Sequence, residues 1–257
     1  MTPRRPTATT GPWLYAGPPA AASRPHGVGG RLPAAVLFDR DGTLVADVPY
    51  NGDPARVEPM PTARAAVDEV RARGVPVGVV SNQSGVARGL LTRRQVEAVQ
   101  RRVEEVLGPF EVWAVCPHGP DEGCGCRKPA PGLVLAACAR LGAPVERTVV
   151  IGDIGADMGA AEAAGARGVL VPTPTTRPEE TAAAACTAPD LLTAVRLALA
   201  TGNAADPAAH PLAPDLSAPD LLTPADEVRA DTARASGALA DGVSVPADAV
   251  LRTPEVS

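Results

Sequence analysis

Apolar residues along this chain fall into short runs, and each run ends abruptly in a polar, glycine-bearing turn. The first, Ala34-Ala35-Val36-Leu37-Phe38, has the pattern of a buried strand and stops at Asp39-Arg40-Asp41-Gly42-Thr43. Thr62 to Arg73 predicts a helix closed by Gly74, and Val75 to Val80 a second strand ending in Ser81-Asn82-Gln83-Ser84-Gly85. Thr92 to Leu107 predicts a helix with Thr92 as N-cap and Gly108 after its last turn. Glu111 to Val115 is the next strand. Pro131 to Leu141 follows as a helix with proline in its first turn and Gly142 at its end. A fourth strand, Thr148 to Ile151, breaks at Gly152-Asp153 and leads into a small-residue helix from about Gly155 to Ala164. Gly168 to Val171 gives a fifth strand and Asp190 to Ala200 a last helix.

Strands that alternate regularly with helices imply an α/β fold, a doubly wound parallel sheet with right-handed crossovers and helices on both faces. In such sheets ligands bind at the carboxyl ends of the strands, where the polar motifs of this chain lie. The periodic region spans residues 33–200. Residues 1–32 are rich in Pro, Gly, Ala and Thr and read as a disordered arm, with Trp13 and Tyr15 as candidates for docking. Residues 201–257 read as a disordered, acidic Ala/Pro-rich tail. Ala188-Pro-Asp-Leu-Leu-Thr193 recurs there as Ala218-Pro-Asp-Leu-Leu-Thr223, by low-complexity drift or as a short docking segment.

Composition narrows the picture. The 257 residues are 45% hydrophobic but only 2% aromatic, so the core is expected to rest on Ala, Val and Leu. A net charge of -5 and the lack of a basic run with interleaved aromatics argue against nucleic acid as a partner. Arg93, Arg94, Arg101 and Arg102 alternate with Glu97, Glu104 and Glu105, which reads as a solvated helix face. Five cysteines, three of them packed between 116 and 126, suit a reducing compartment better than a secreted disulfide framework. No stretch approaches the roughly 20 apolar residues of a membrane span, and Arg4-Arg5 is followed by no apolar segment of a signal peptide. The expectation is a cytoplasmic protein without a membrane partner.

Asp39 and Asp41 lie at i and i+2 directly after a strand, with Arg40 expected to point elsewhere. Such a pair can divide labour between attack and proton transfer. Lys128 is the only lysine in the chain, a compact cation suited to phosphoryl oxygens in a protein that otherwise uses arginine. It follows Cys116-Pro-His118-Gly-Pro-Asp-Glu-Gly-Cys124-Gly-Cys126-Arg127, three thiols and one imidazole. That set matches a closed structural zinc site, although its spacing is not that of a standard zinc finger, and buried free thiols or a redox pair are the alternatives.

The string Asp39-Arg40-Asp41-Gly42-Thr43-Leu44 resembles the first motif of the haloacid-dehalogenase-like phosphohydrolases. Val79-Val80-Ser81-Asn82-Gln83-Ser84-Gly85 matches their second motif, Lys128 the third, and Val149-Val150-Ile151-Gly152-Asp153 with Asp157 the fourth. The resemblance implies that Asp39 is a nucleophile and Asp41 a general acid/base. It further implies that Ser81 and Lys128 hold the phosphoryl oxygens, and that Asp39, Asp153 and the Asp41 backbone carbonyl bind Mg²⁺, with Asp157 orienting the site.

Cys-Pro-His followed by Cys-x-Cys-Arg-Lys-Pro is similar to the subgroup that contains the D-glycero-D-manno-heptose 1,7-bisphosphate and histidinol-phosphate phosphatases. In that subgroup the loop binds zinc, here through Cys116, His118, Cys124 and Cys126. Arg127 and a flap containing Asp47 and Tyr50 would meet the substrate, together with Asn82, Gln83 and Ser84. Only about 20 residues separate Asp41 from the next helix, which leaves no room for a cap domain. Relatives acting on heptose bisphosphate often carry lysine after the metal-binding aspartate, where this chain has Ile154. The expected function is a monomeric phosphatase of small phosphorylated metabolites acting on a heptose bisphosphate, with histidinol phosphate as the rival substrate. A non-catalytic phosphate-binding or zinc-scaffold protein is the rival from another class.

Overall fold

The computed structural model describes residues 11–17 and 32–200. The repeated segment at Ala218 to Thr223 lies outside the described residues, as do Arg4 and Arg5. The elements are β1 (Trp13–Ala16), β2 (Ala35–Phe38), α1 (Ala63–Ala72), β3 (Val77–Asn82), α2 (Arg93–Leu107) and β4 (Val112–Cys116). They continue with α3 (Gly132–Leu141), β5 (Thr148–Gly152), α4 (Gly155–Ala164), β6 (Arg167–Leu170), α5 (Pro178–Ala183) and α6 (Leu191–Ala200). The six-stranded sheet has the order β1-β4-β3-β2-β5-β6. All neighbours are parallel except β1 and β4.

The sense in which successive strands are added reverses between β2 and β5: β3 and β4 build outward on one side, β5 and β6 on the other. This switch leaves a crevice at the carboxyl ends of β2, β3 and β5. The two-residue period of the strands divides the core. Val36, Phe38, Val77, Val79, Val149 and Ile151 face the cluster packed under α1, α2 and α6. Leu37, Val80, Val112, Ala114 and Val150 face α3 and α4. Both faces are buried, so the strands read as continuous apolar runs in the sequence.

Three expectations need correction. Trp13–Ala16, within the stretch read as an arm, form an antiparallel strand on β4 with Trp13 opposite Val115 and Tyr15 opposite Trp113. Their alternation explains it: Trp13 and Tyr15 pack on Leu91, Val96 and Val115, while Leu14 and Ala16 face outward. Arg93 lies over both rings, 5.0 Å from the centroid of Trp13 and 5.2 Å from that of Tyr15, so one charge of the supposed solvated face clamps β1 to α2. Glu104 is a second such charge, accepting a 2.7 Å hydrogen bond from Trp113 Nε1. The aromatics, though few, are central: Phe38, Phe110 and Trp113 are among the largest fully buried side chains. Phe110 meets Trp113 edge to face at a centroid distance of 5.4 Å.

The Thr92 cap is as expected and reciprocal, with Gln95 N–H donating to Thr92 Oγ1 at 3.3 Å and Thr92 N–H to Gln95 Oε1 at 2.9 Å. Among the described residues no helix is long and apolar enough to cross a membrane. Because Phe110 anchors the aromatic corner against β4, Phe110→Ala is expected to cost about 3–5 kcal/mol. Urea unfolding would show this as a lowered midpoint at unchanged slope.

Candidate active site

Asp39 is the first residue beyond β2, and its N–H donates to Ile151 O of β5 at 2.9 Å, so the turn begins inside the sheet. The chain then reverses at Gly42, whose φ of 79° is one that glycine adopts without strain. A Cβ on Gly42 would come within 2.3 Å of Asp153 Oδ2, so the missing side chain lets the turn after β2 touch the one after β5. Thr43 Oγ1 completes that contact by donating to Asp153 Oδ1 at 3.2 Å. β3 runs to Asn82 rather than ending at Val80, because β4 continues as its partner and pairs Cys116 with Asn82.

Lys128 reaches the site from a loop remote in sequence, and Asn82 fixes it there. Asn82 Nδ2 donates to Lys128 O, and Lys128 N–H donates to Asn82 Oδ1, both at 3.1 Å. The buried Nζ then donates to Asp39 Oδ1 at 2.6 Å, to Val80 O at 2.9 Å and to Asp157 Oδ1. Burial alone would lower the lysine pKa, but the Asp157 and Asp39 carboxylates hold it above the ordinary lysine range. The ammonium is charged.

Negative charge is in excess around it. Oxygens of Asp39, Asp153 and Asp157 lie within 4.8 Å of one another, and all three residues are buried. Burial, and next the Asp157 carboxylate, push Asp153 up to about 7. Asp39 is raised as well, first by burial and then by Asp157 and Asp153, although Lys128 pulls it down. Hard oxygen donors with more negative charge than one ammonium can balance suit Mg²⁺.

Above this floor opens a cavity of about 360 Å³. Asp39, Asp41, Lys128 and Asp153 line its base, and Asn82, Gln83 and Ser84 one wall. Asp47 and Tyr50 of the short flap form another, so the structure gathers these residues as the sequence suggests. Ile154 lines the cavity too, so an apolar side chain stands directly after Asp153. Ser81 is buried beneath, its Oγ accepting from Gln83 Nε2 at 2.9 Å, and the same amide nitrogen donates to Asp41 Oδ2 at 2.9 Å.

Two placements differ from expectation. Arg40 does not point elsewhere: it turns back on Asp41, Nε donating to Oδ1 at 2.9 Å and Nη2 to Oδ2 at 2.8 Å. The tight turn presents both oxygens to the guanidinium fork, a bidentate match. Arg127 does not line the main cavity. It faces a second hollow of about 330 Å³ beside Cys124 and Pro129, which Lys128 also lines, and its buried Nη1 has no protein partner.

Cys116, at the end of β4, joins His118, Cys124 and Cys126 in one cluster. Cys116 Sγ lies 3.5 Å from His118 Nδ1, 3.7 Å from Cys124 Sγ and 3.4 Å from Cys126 Sγ. Cys126 Sγ lies 3.2 Å from His118 Nδ1 and 3.7 Å from Cys124 Sγ. A tetrahedron with bonds of ~2.3 Å to sulfur and ~2.0 Å to nitrogen has edges of about 3.5–3.8 Å, so the donor atoms stand close to where zinc would require them. Burial raises the Cys116 and Cys126 thiols. Burial alone would raise Cys124 as well, but backbone N–H groups of Arg127 and Cys126 lower it.

Several contributors are not among the residues expected at the site. Thr43 holds Asp153, Thr175 lines the cavity, and Thr176 Oγ1 donates to Asp153 O at 2.6 Å. Hydroxyls clustered just after β6, in Thr173-Pro-Thr175-Thr176, were the available signal. Asp157 is nearer the centre than its orienting role suggested, being fully buried and an ion-pair partner of Lys128.

Residues 125–200 match a HAD-hydrolase-like family model. A D-glycero-beta-D-manno-heptose-1,7-bisphosphate 7-phosphatase of Pseudomonas putida is 36% identical over 143 residues, covering 54% of this chain and 82% of the relative. One from Mesorhizobium japonicum is 38% identical over 161 residues, covering 56% of this chain and 74% of its own. The fold matches the D,D-heptose 1,7-bisphosphate phosphatase of Bordetella bronchiseptica, solved with magnesium and phosphate, with a TM-score of 0.58 at 27% identity over 63% of this chain and 97% of that one. The four motif segments, the crevice at the switch point and these likenesses converge: the chain belongs to the HAD-like phosphatases, in the group of the heptose bisphosphate phosphatases.

Proposed function

We propose that this phosphatase removes the 7-phosphate of D-glycero-D-manno-heptose 1,7-bisphosphate through an aspartyl-phosphate on Asp39. The observation that carries the mechanism is the buried Lys128 ammonium, whose Nζ donates to Asp39 Oδ1 at 2.6 Å on the floor of the cavity. The substrate rests on the likeness to the heptose-1,7-bisphosphate 7-phosphatases of Pseudomonas putida and Mesorhizobium japonicum and on a cavity that a capless fold leaves open to a sugar phosphate.

The Asp39 carboxylate attacks phosphorus in line, and the P–O bond to the sugar breaks. Asp41 gives its proton to the departing alkoxide. A water then attacks the phosphoaspartate, Asp41 takes the proton from that water, and inorganic phosphate leaves with Asp39 regenerated. Arg40 and Gln83 hold the Asp41 carboxylate at the cavity, and one of these contacts must yield when Asp41 meets the leaving oxygen. Lys128 opposes the negative charge of the phosphoryl oxygens, assisted by Ser81 and the backbone N–H groups that follow it. Asp39, Asp153 and the Asp41 backbone carbonyl would hold Mg²⁺, which when bound supplies further charge neutralisation at the phosphoryl group.

Zinc in the Cys116, His118, Cys124 and Cys126 cluster would fix the loop that carries Lys128 and Arg127. Arg127, outside the main cavity and facing the neighbouring hollow that Lys128 also lines, could meet only a part of the substrate that extends past Lys128.

Phosphate release from a panel of both heptose bisphosphate anomers and histidinol phosphate tests the substrate, and a preference for histidinol phosphate would overturn it. Asp39→Asn is expected to abolish turnover while the protein stays folded; wild-type rates in that variant would exclude the covalent route. Asn82→Ala should lower kcat/KM by about tenfold, since the two hydrogen bonds that place the Lys128 peptide are lost. Elemental analysis of the purified protein should find one zinc per chain, and Cys126→Ser should lose both that zinc and most activity.

A further inference from the structure

Tyr50 is the flap residue whose conformation needs explaining. It is not glycine, yet its φ is 51°, in the left-handed region. It is 42% exposed and lines the cavity, so little core packing pins it. What holds it comes from the segment after β3. Arg88 Nη1 donates to Tyr50 Oη at 2.6 Å, and the guanidinium carbon lies 5.6 Å from the centroid of the same ring. Beneath the ring is Gly85, where an added Cβ would come within 2.8 Å of Tyr50 Cδ1, so the ring rests directly on backbone.

We propose that Arg88, which is not among the residues lining the cavity, is a positioning residue that sets substrate specificity through Tyr50. The inference rests on the reading of this cavity as the sugar-phosphate site. Its physical content is directional. A phenol has one hydrogen to donate, and an oxygen that already accepts from a guanidinium must turn that hydrogen away from it. The charge-assisted bond also polarises the O–H group, so Tyr50 meets the cavity as a donor with one fixed orientation. A donor at the rim recognises an acceptor oxygen on the part of the substrate away from the scissile phosphate, a sugar hydroxyl or a second phosphate. A small aryl phosphate ends before reaching it.

The test compares two esters on the full chain. One is p-nitrophenyl phosphate; the other is whichever ester of the metabolite panel the wild type turns over fastest, so a failed heptose assignment still leaves the latch open to test. Arg88→Leu should raise KM for the metabolite about tenfold with kcat within about twofold, and leave the kinetics of p-nitrophenyl phosphate unchanged. Arg88→Lys should recover most of the loss. Tyr50→Phe should raise the metabolite KM by a similar factor, and the double variant should be no worse than the poorer single one. Equal losses on both esters would overturn the proposal, because they would mean general damage to the site. An unchanged metabolite KM in Arg88→Leu would overturn it too, as would additive losses in the double variant, which would make Arg88 a direct ligand.

Discussion

One ammonium among three buried carboxylates is the interaction on which the rest depends. Lys128 neutralises Asp39 and Asp157 at once, and its third donor goes to the Val80 carbonyl of β3. Deleting one partner of a buried ion pair typically costs about 3–5 kcal/mol, since the remaining charge is left without compensation. Here that remainder would be two carboxylates beside a third. The same imbalance that makes Lys128 indispensable to the fold of the site makes the site receptive to a further cation, and it is felt at Asp153, raised to about 7 by burial and by Asp157.

The placing of Lys128 draws on parts of the chain with different chemistry. Asn82 at the end of β3 grips its peptide from one side, and the Cys116, His118, Cys124 and Cys126 cluster closes the loop from the other. Cys116 pairs with Asn82 across β3 and β4, so both anchors spring from one rung of the sheet. A lysine has a long, flexible stem, and holding it still demands a rigid base. The opposite wall is made differently. The flap is exposed at Asp47, Pro49 and Tyr50, and the Tyr50 ring is seated by Arg88 and by the bare backbone of Gly85, which suits a surface that must admit and release substrate.

Much of this was legible from the chain alone. Motifs at strand ends, the sole lysine and the thiol cluster each carry a chemical signature that depends on residue type and local spacing. The expected order of strands and helices also holds, because strands buried on both faces leave unbroken apolar runs between glycine-marked turns. What escaped were contacts whose partners are remote or whose signal is weak: Trp13–Ala16 is too short a run to stand out from its Pro/Gly-rich surroundings, yet the exposed edge of β4 and the side chain of Arg93 make it a strand. Arg40 is the instructive error, since adjacent residues point to opposite faces only in an extended chain, and a tight turn folds the side chain back onto its neighbour.

The sequence by itself thus determined the doubly wound α/β architecture, the membership of Asp39, Asp41, Lys128 and Asp153 in one site, and the four residues of the thiol and imidazole cluster. The architecture follows from periodicity and the cluster from side-chain chemistry, both local properties, while the grouping of the four site residues follows from the resemblance of their motifs to those of a known family. Only the tertiary structure decided that Asp157 shares the lysine with Asp39, that Asn82 holds the lysine's peptide, that Arg127 faces a separate hollow and that Arg88 secures Tyr50. Each of those depends on the direction of a side chain across a gap closed by folding, and direction is fixed by packing and mutual neutralisation of charge rather than by position along the chain.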